Sequence, residues 1–137
     1  MTLGMNSTLR SARMTAVLTD LDKNASAGKI EFYSGTRPAT GAGIGAAVLL
    51  GTCTLSKPCG TVTTGVLTFS AITNGTGTAG ADGGTVSTWC RFTDGAGVFV
   101  LDGSVGTSGA DVNLNSTTIA TGQTITVTGG TLTEGNA

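Results

Sequence analysis

Residues 85–101 constrain this chain more than any other stretch. Val86, Cys90 and Phe92 fall on one parity, Ser87, Arg91 and Thr93 on the other. That period of two belongs to a strand with one buried face and one wet face. Asp94-Gly95-Ala96-Gly97 follows, and Asp and Gly tolerate the positive φ that tight hairpin turns demand. Residues 98–101, Val-Phe-Val-Leu, read as a strand covered on both faces. A hairpin therefore occupies the centre of residues 85–115, which also hold the only Trp, Trp89, and two of the four Phe, Phe92 and Phe99. The other segments must supply strands to flank it.

Composition fits that demand. Charged residues are 11% of the chain, against about 25% in ordinary globular proteins. Gly is 23 of 137 residues and Thr is abundant, as in short strands with frequent turns. Disordered chains combine low hydrophobicity with high charge; here mean hydropathy is +0.25. The length predicts one domain with a modest core. So weakly charged a surface points to coverage by copies or partners. A net charge of −1 without a basic cluster argues against nucleic acid. No apolar run approaches about 20 residues, so no membrane helix is expected. The first nine residues lack a secretory pattern, and synthesis in a cytosol is the expectation.

In chain order, Asn6-Ser7 caps a helix over 8–21, with Met14, Val17, Leu18 and Leu21 on one face. Arg10 and Arg13 sit off that face. Two placements are open, against the chain's own domain or as an arm on a neighbouring subunit. Residues 29–33 form a strand with Ile30 and Phe32 inward and Glu31 and Tyr33 outward. Residues 34–38 turn, Pro38 ends pairing, and 39–47 read as a mobile Ala/Gly loop. A strand over 47–55 through Val48 and Leu50 precedes a loop over 56–61. Val62 and residues 66–72 make the next strand, with Leu67, Phe69 and Ala71 on one side. Residues 74–84 read as a flexible loop. Beyond the hairpin, Val112 and Leu114 face one way and Asp111, Asn113 and Asn115 the other. Short strands follow at 117–119, 123–128 and 131–133.

The predicted fold is all-β, a β-sandwich or jelly-roll-like domain of about seven or eight short strands with one N-terminal helix. Residues 1–28 form an N-terminal arm and helix, and 29–137 the sandwich. The expected core is Ile30, Phe32, Leu67, Phe69, Cys90, Phe92, Phe99, Leu101, Ile125 and Val127.

Chemistry is sparse. With no His, the Ser-His-Asp and Cys-His nucleophiles and the commonest metal ligand are missing. Three Cys alone do not fill a structural zinc site. Cys53, Cys59 and Cys90 are an odd set, read as buried thiols, although Cys53 and Cys59 could pair. Asp82, Asp94 and Asp102 each adjoin Gly, the setting of turn formers. Asp111, Asn113 and Asn115 could offer oxygens to Ca²⁺, but a calcium loop's Gly and distal Glu are missing. Trp89 and Tyr33 are the only aromatics for a carbohydrate platform. No catalytic, cofactor or metal residues are assigned.

Three separated motifs occur in order. They are Met5-Asn6-Ser7-Thr8-Leu9-Arg10-Ser11-Ala12-Arg13, then Lys29-Ile30-Glu31-Phe32-Tyr33-Ser34-Gly35-Thr36-Arg37-Pro38-Ala39-Thr40, then Phe92-Thr93-Asp94-Gly95 with Asp102-Gly103-Ser104-Val105-Gly106-Thr107-Ser108-Gly109-Ala110-Asp111 and Asn113-Leu114-Asn115. Together they resemble a family of small structural proteins of tailed bacteriophages, similar to capsid decoration or cement proteins. The 56–64 loop and the Cys content depart from that family's pattern. The resemblance implies a non-enzymatic protein on the outside of an icosahedral head, made in the bacterial host cytoplasm. It implies bridging of major capsid protein subunits and self-association as a dimer or trimer, with no nucleic-acid or membrane partner. Contacts are expected from Asn6, Leu9, Arg10, Arg13 and Arg37, and from exposed strand edges by β-addition. The alternative is a tail, neck or fibre component of the same virion.

Overall fold

The structure is a computed structural model that describes residues 4–39, 41–78 and 84–134. Parts of the N-terminal tail, of the 74–84 loop with its Asp82, and of the C-terminal tail lie outside the described residues. Helix α1 (Ser7–Asp22) starts at Asn6, whose side-chain oxygen accepts the Leu9 N–H at 2.8 Å and satisfies one of the free amides of the first turn. The strands are β1 (Lys29–Tyr33), β2 (Leu49–Thr54), β3 (Gly60–Thr63), β4 (Val66–Phe69), β5 (Gly75–Thr76) and β6 (Thr85–Val86). They continue as β7 (Trp89–Thr93), β8 (Phe99–Gly106), β9 (Val112–Leu114), β10 (Thr118–Ile119), β11 (Thr124–Ile125) and β12 (Val127–Thr133). Eight of them form one curled sheet in the order β2-β1-β7-β8-β9-β12-β4-β3. β10 pairs with β6 and β11 with β5.

The β7–β8 hairpin is at the middle of that sheet. Asp94 closes its turn. Its backbone N–H donates to Val98 O, and its Oδ1 accepts from the Ala96 and Val98 amides at 2.9 and 2.8 Å. Gly97 takes a φ of 84° there, a left-handed conformation that glycine adopts freely. The exposure of the two strands is the reverse of the expected one. Every residue of β7 is buried, while β8 is mostly half-buried. The polar parity of β7 is dry because Gly41 and Ala42 lie over it, against Phe99 and Arg91, and because Arg91 finds Asp102 across the hairpin. Asp102, expected in a turn, is a strand residue in a buried ion pair.

Phe92 and Phe69 stack at 5.5 Å, although β7 and β4 are far apart in the strand order. That contact is the curl, since the inner face of one half of the sheet packs on the inner face of the other. Ile30, Phe32, Leu67, Cys90, Phe92 and Ile125 are buried in this core, and Phe69, Leu101 and Val127 pack against it partly exposed. Phe99 is half-buried on the opposite face, under the Arg91 guanidinium at 4.8 Å. Leu50, Leu55, Val112, Leu114 and Ile119 are also core residues. Beyond the sheet's β2 edge, Thr54 and Thr73 bridge reciprocally and Thr78 N–H donates to Leu50 O. That edge is therefore already paired within the chain.

α1 lies on its own sheet, against β3, β4 and β8. Met14 and Leu21 are buried, with Val17 and Leu18 packed beside them. Its first half meets the β3–β4 turn, where Gly65 N–H donates to Ser11 Oγ at 2.9 Å and Arg13 pairs with Glu134 at 2.7 Å. Its C-terminal end is held by Lys57 Nζ, which donates to the carbonyls of Asp22 and Asn24, and by Asp22, whose carboxylate accepts the Cys59 N–H.

Three more expectations change. Residues 60–69 form a hairpin rather than a loop and one strand, because Thr64 and Gly65 both take positive φ, 49° and 81°, in a two-residue turn. β5 lies inside the stretch read as a flexible loop. It approaches β2 so closely that a Cβ at Gly75 would sit 2.1 Å from Thr52 O. Residues 127–133 form one strand through Gly129 and Gly130, paired first to β9 and then to β4.

Candidate functional site

Cross-strand register assembles a second cluster on the outer face of the sheet. Tyr33 faces Trp89, Glu31 faces Arg91, and Arg91 faces Asp102. Neighbours in those positions are within side-chain reach. Tyr33, expected outward, is buried and stacks on Trp89 at 4.6 Å, its hydroxyl donating to Glu31 at 2.8 Å. Arg91 makes a two-pronged contact with Asp102, Nε to Oδ1 at 2.7 Å and Nη2 to Oδ2 at 2.9 Å. That contact, opposed by burial, holds the guanidinium's pKa above its usual value. Burial, then the Glu31 carboxylate, pushes the Tyr33 phenol up to about 12. Trp89 and Tyr33 are used up in each other's company, so they do not form a carbohydrate platform.

This cluster holds up residues 34–48. Arg91 Nη2 donates to Ala42 O at 3.0 Å, and Gly41 lies against the Phe99 ring. At the base of the excursion Ser34 N–H donates to Val48 O, Thr88 N–H to Tyr33 O, and Thr88 Oγ1 to Gly35 O. Val48, the start of the excursion and the Val86–Thr88 segment are thus tied together at one end of the sheet. Among the described residues, three of the five exposed large hydrophobics belong here, Ile44, Val48 and Val86, at 37, 47 and 52% exposure. Arg37 lines two cavities at this end. One of about 380 Å³ runs along residues 35–38 and 43–47. The other, of about 260 Å³, is shared with Thr88, Trp89 and Ser104. The arrangement offers aliphatic surface with one cation on a rigid base.

The residues expected to make contacts do not converge. Asn6 caps the helix, Arg10 reaches Glu134 O at 3.4 Å beside Gly65, and Arg13 pairs with Glu134. Leu9 stays outward at 48% exposure. Arg37 lies on the 34–48 excursion instead. Val86, expected on the buried parity with Cys90 and Phe92, is exposed instead, because its strand β6 ends before β7 begins and pairs with β10. Val48, expected in a strand, lies just before β2, and Ile44 falls in the stretch read as a mobile loop.

The remaining chemistry is buried or locally engaged. Cys53, Cys59 and Cys90 are free and buried. Burial raises all three thiol pKa values, and for Cys59, with Asp22 adding to the effect, to about 12. Asp111 accepts from Ser104 N and Oγ, Asn113 from Ala110 N–H, and Asn115 from Thr126 N–H. These side chains serve separate backbone partners rather than a common centre. Among the described residues no group of three His, Cys, Asp or Glu is placed to hold a metal ion, and no helix is long and apolar enough to cross a membrane.

No protein-family model matches the chain, and neither a curated protein nor a solved structure matches it.

Proposed function

We propose that this chain is a non-enzymatic decoration protein of a tailed-phage capsid, bound outside the head and bridging major capsid protein subunits. The observation that carries the reading is the surface at one end of the sheet, where the aliphatic Ile44, Val48 and Val86 and the cation Arg37 are left exposed on a stiff base. The three ordered motifs that resemble decoration proteins support it. So do thiols that are all buried, and charges tied up within the chain. A sandwich-like packing of the two halves of the curled sheet suits the role, because it transmits load between neighbours without rearranging. Binding only to the assembled state stabilises that state by mass action. Self-association as a dimer or trimer would match the local symmetry of the shell. With β2 covered, strand addition has β3 left among the sheet's two terminal strands.

The test is to purify particles and locate this chain by electron cryomicroscopy. Density for the curled sheet between capsid subunits on the outer surface is the expected result. A position on the tail, neck or a fibre, or absence from the particle, overturns the reading.

A further inference from the structure

Charge pairing within the chain narrows what that end of the molecule binds. The chain has eight Asp and Glu and seven Lys and Arg. Asp82 lies outside the described residues, and every other Asp and Glu is held locally. Asp20 and Asp94 meet Lys23, Asp102 meets Arg91, and Glu134 meets Arg13. Asp22 accepts the Cys59 amide, Asp111 accepts from Ser104, and Glu31 accepts the Tyr33 hydroxyl. Among the cations, Arg10 and Lys57 are spent on backbone carbonyls.

Among the basic side chains only those of Lys29 and Arg37 make no hydrogen bond or ion pair to another described residue. Lys29 is exposed at the start of β1, the ordinary situation of a solvated surface lysine. Arg37 differs, because it borders two cavities and shares one of them with Ile44. A guanidinium matches a carboxylate with two parallel N–H donors, and aliphatic surroundings strengthen that match by excluding water.

We infer that Arg37 with Ile44 beside it, and with Val48 and Val86 exposed at the same end of the sheet, is the docking surface for a segment of a different protein that presents a carboxylate flanked by aliphatic side chains. A second copy of this chain is the poorer occupant, since its described carboxylates are already engaged. The inference rests on the reading that this chain coats a protein shell, and it adds which face does so and what that face recognises.

The test uses the full chain with photoreactive benzoylphenylalanine replacing Ile44, added to purified particles that lack the protein. The same label replacing Leu9 is the comparison, and circular dichroism melting verifies that each variant is folded. The expected result is crosslinking from position 44 to one virion protein, at a peptide containing Asp or Glu. Arg37→Glu in the same chain should lower that yield at least tenfold, and Lys29→Glu should leave it within twofold. Crosslinking from position 44 only to a second copy, or an unchanged yield with Arg37→Glu, overturns the inference. If position 9 reaches the shell protein while position 44 reaches nothing, this surface is wrong and the decoration reading stands. If position 44 reaches a tail protein with the Arg37 dependence intact, the surface stands and the decoration reading falls.

Discussion

Arg91 shows how far a residue can depart from its pattern. Its neighbours in sequence mark a wet face, yet its side chain is 10% exposed and that of Asp102 5%. A buried pair adds little net stability over an apolar pair, but removing one partner strands the other charge. Asp102→Ala should therefore cost about 3–5 kcal/mol in urea unfolding, and Arg91→Met with Asp102→Leu should cost clearly less. Tyr33 gives a second prediction through its phenol. It is the only Tyr, so phenolate absorbance reports it alone. The folded protein should titrate near pH 12, the unfolded chain near the ordinary 10.0. The folded pKa is the higher one, so the contribution of Tyr33 to stability is complete below pH 10 and disappears as pH rises through about 12.

At the scale of elements, α1 and the hairpin turn are the joints that decide whether the sheet holds its shape. The hydrophobic face of the helix is satisfied by its own sheet through Met14 and Leu21. Met14→Ala should cost about 2–5 kcal/mol by chemical denaturation, and loss of shell binding on deleting the helix would then report unfolding rather than a lost contact. The Asp94 turn is sensitive to acid. Burial raises its carboxyl pKa, but the Val98 and Ala96 amides and Lys23 outweigh burial and hold it below 3.8. A depressed folded pKa means stability that is present above the unfolded value and lost as pH falls through the folded one. The difference in Tm between the wild type and Asp94→Asn should be open at pH 7 and close as pH drops below about 3.8. The β7–β8 turn was legible from Asp94-Gly95-Ala96-Gly97. The Thr64-Gly65 turn was not, because a Thr at positive φ is costly alone and is held there by the strands on either side.

For the whole molecule, a binder that recognises only the assembled shell must raise the shell's melting temperature in proportion to the logarithm of its free concentration. At a hundredfold excess over Kd the stabilisation is about 2.7 kcal/mol per site. Differential scanning calorimetry of undecorated shells with increasing protein measures this, and a melting temperature that ignores concentration contradicts the proposed role. The same protein carrying Arg37→Glu should shift the curve to higher concentration.

Local rules settle a good part of this molecule. Alternation assigns β1 its residues and its inward pair Ile30 and Phe32, the 3.6-residue period picks out α1, and Asp-Gly chemistry places the central turn. Each of these depends on neighbours a few residues apart, whose geometry is the same in any fold. The tertiary structure alone decides that both faces of β7 are buried, that β5 docks on β2, and that Ile44 lies beside Arg37 with Val48 and Val86 exposed at the same end of the sheet. Those outcomes depend on Gly41 and Ala42 lying against Phe99 and Arg91, on the bond of Ser34 to Val48, and on a sheet that curls until Phe69 meets Phe92. Burial is a property of what covers a residue, and the covering segments here are remote in the chain.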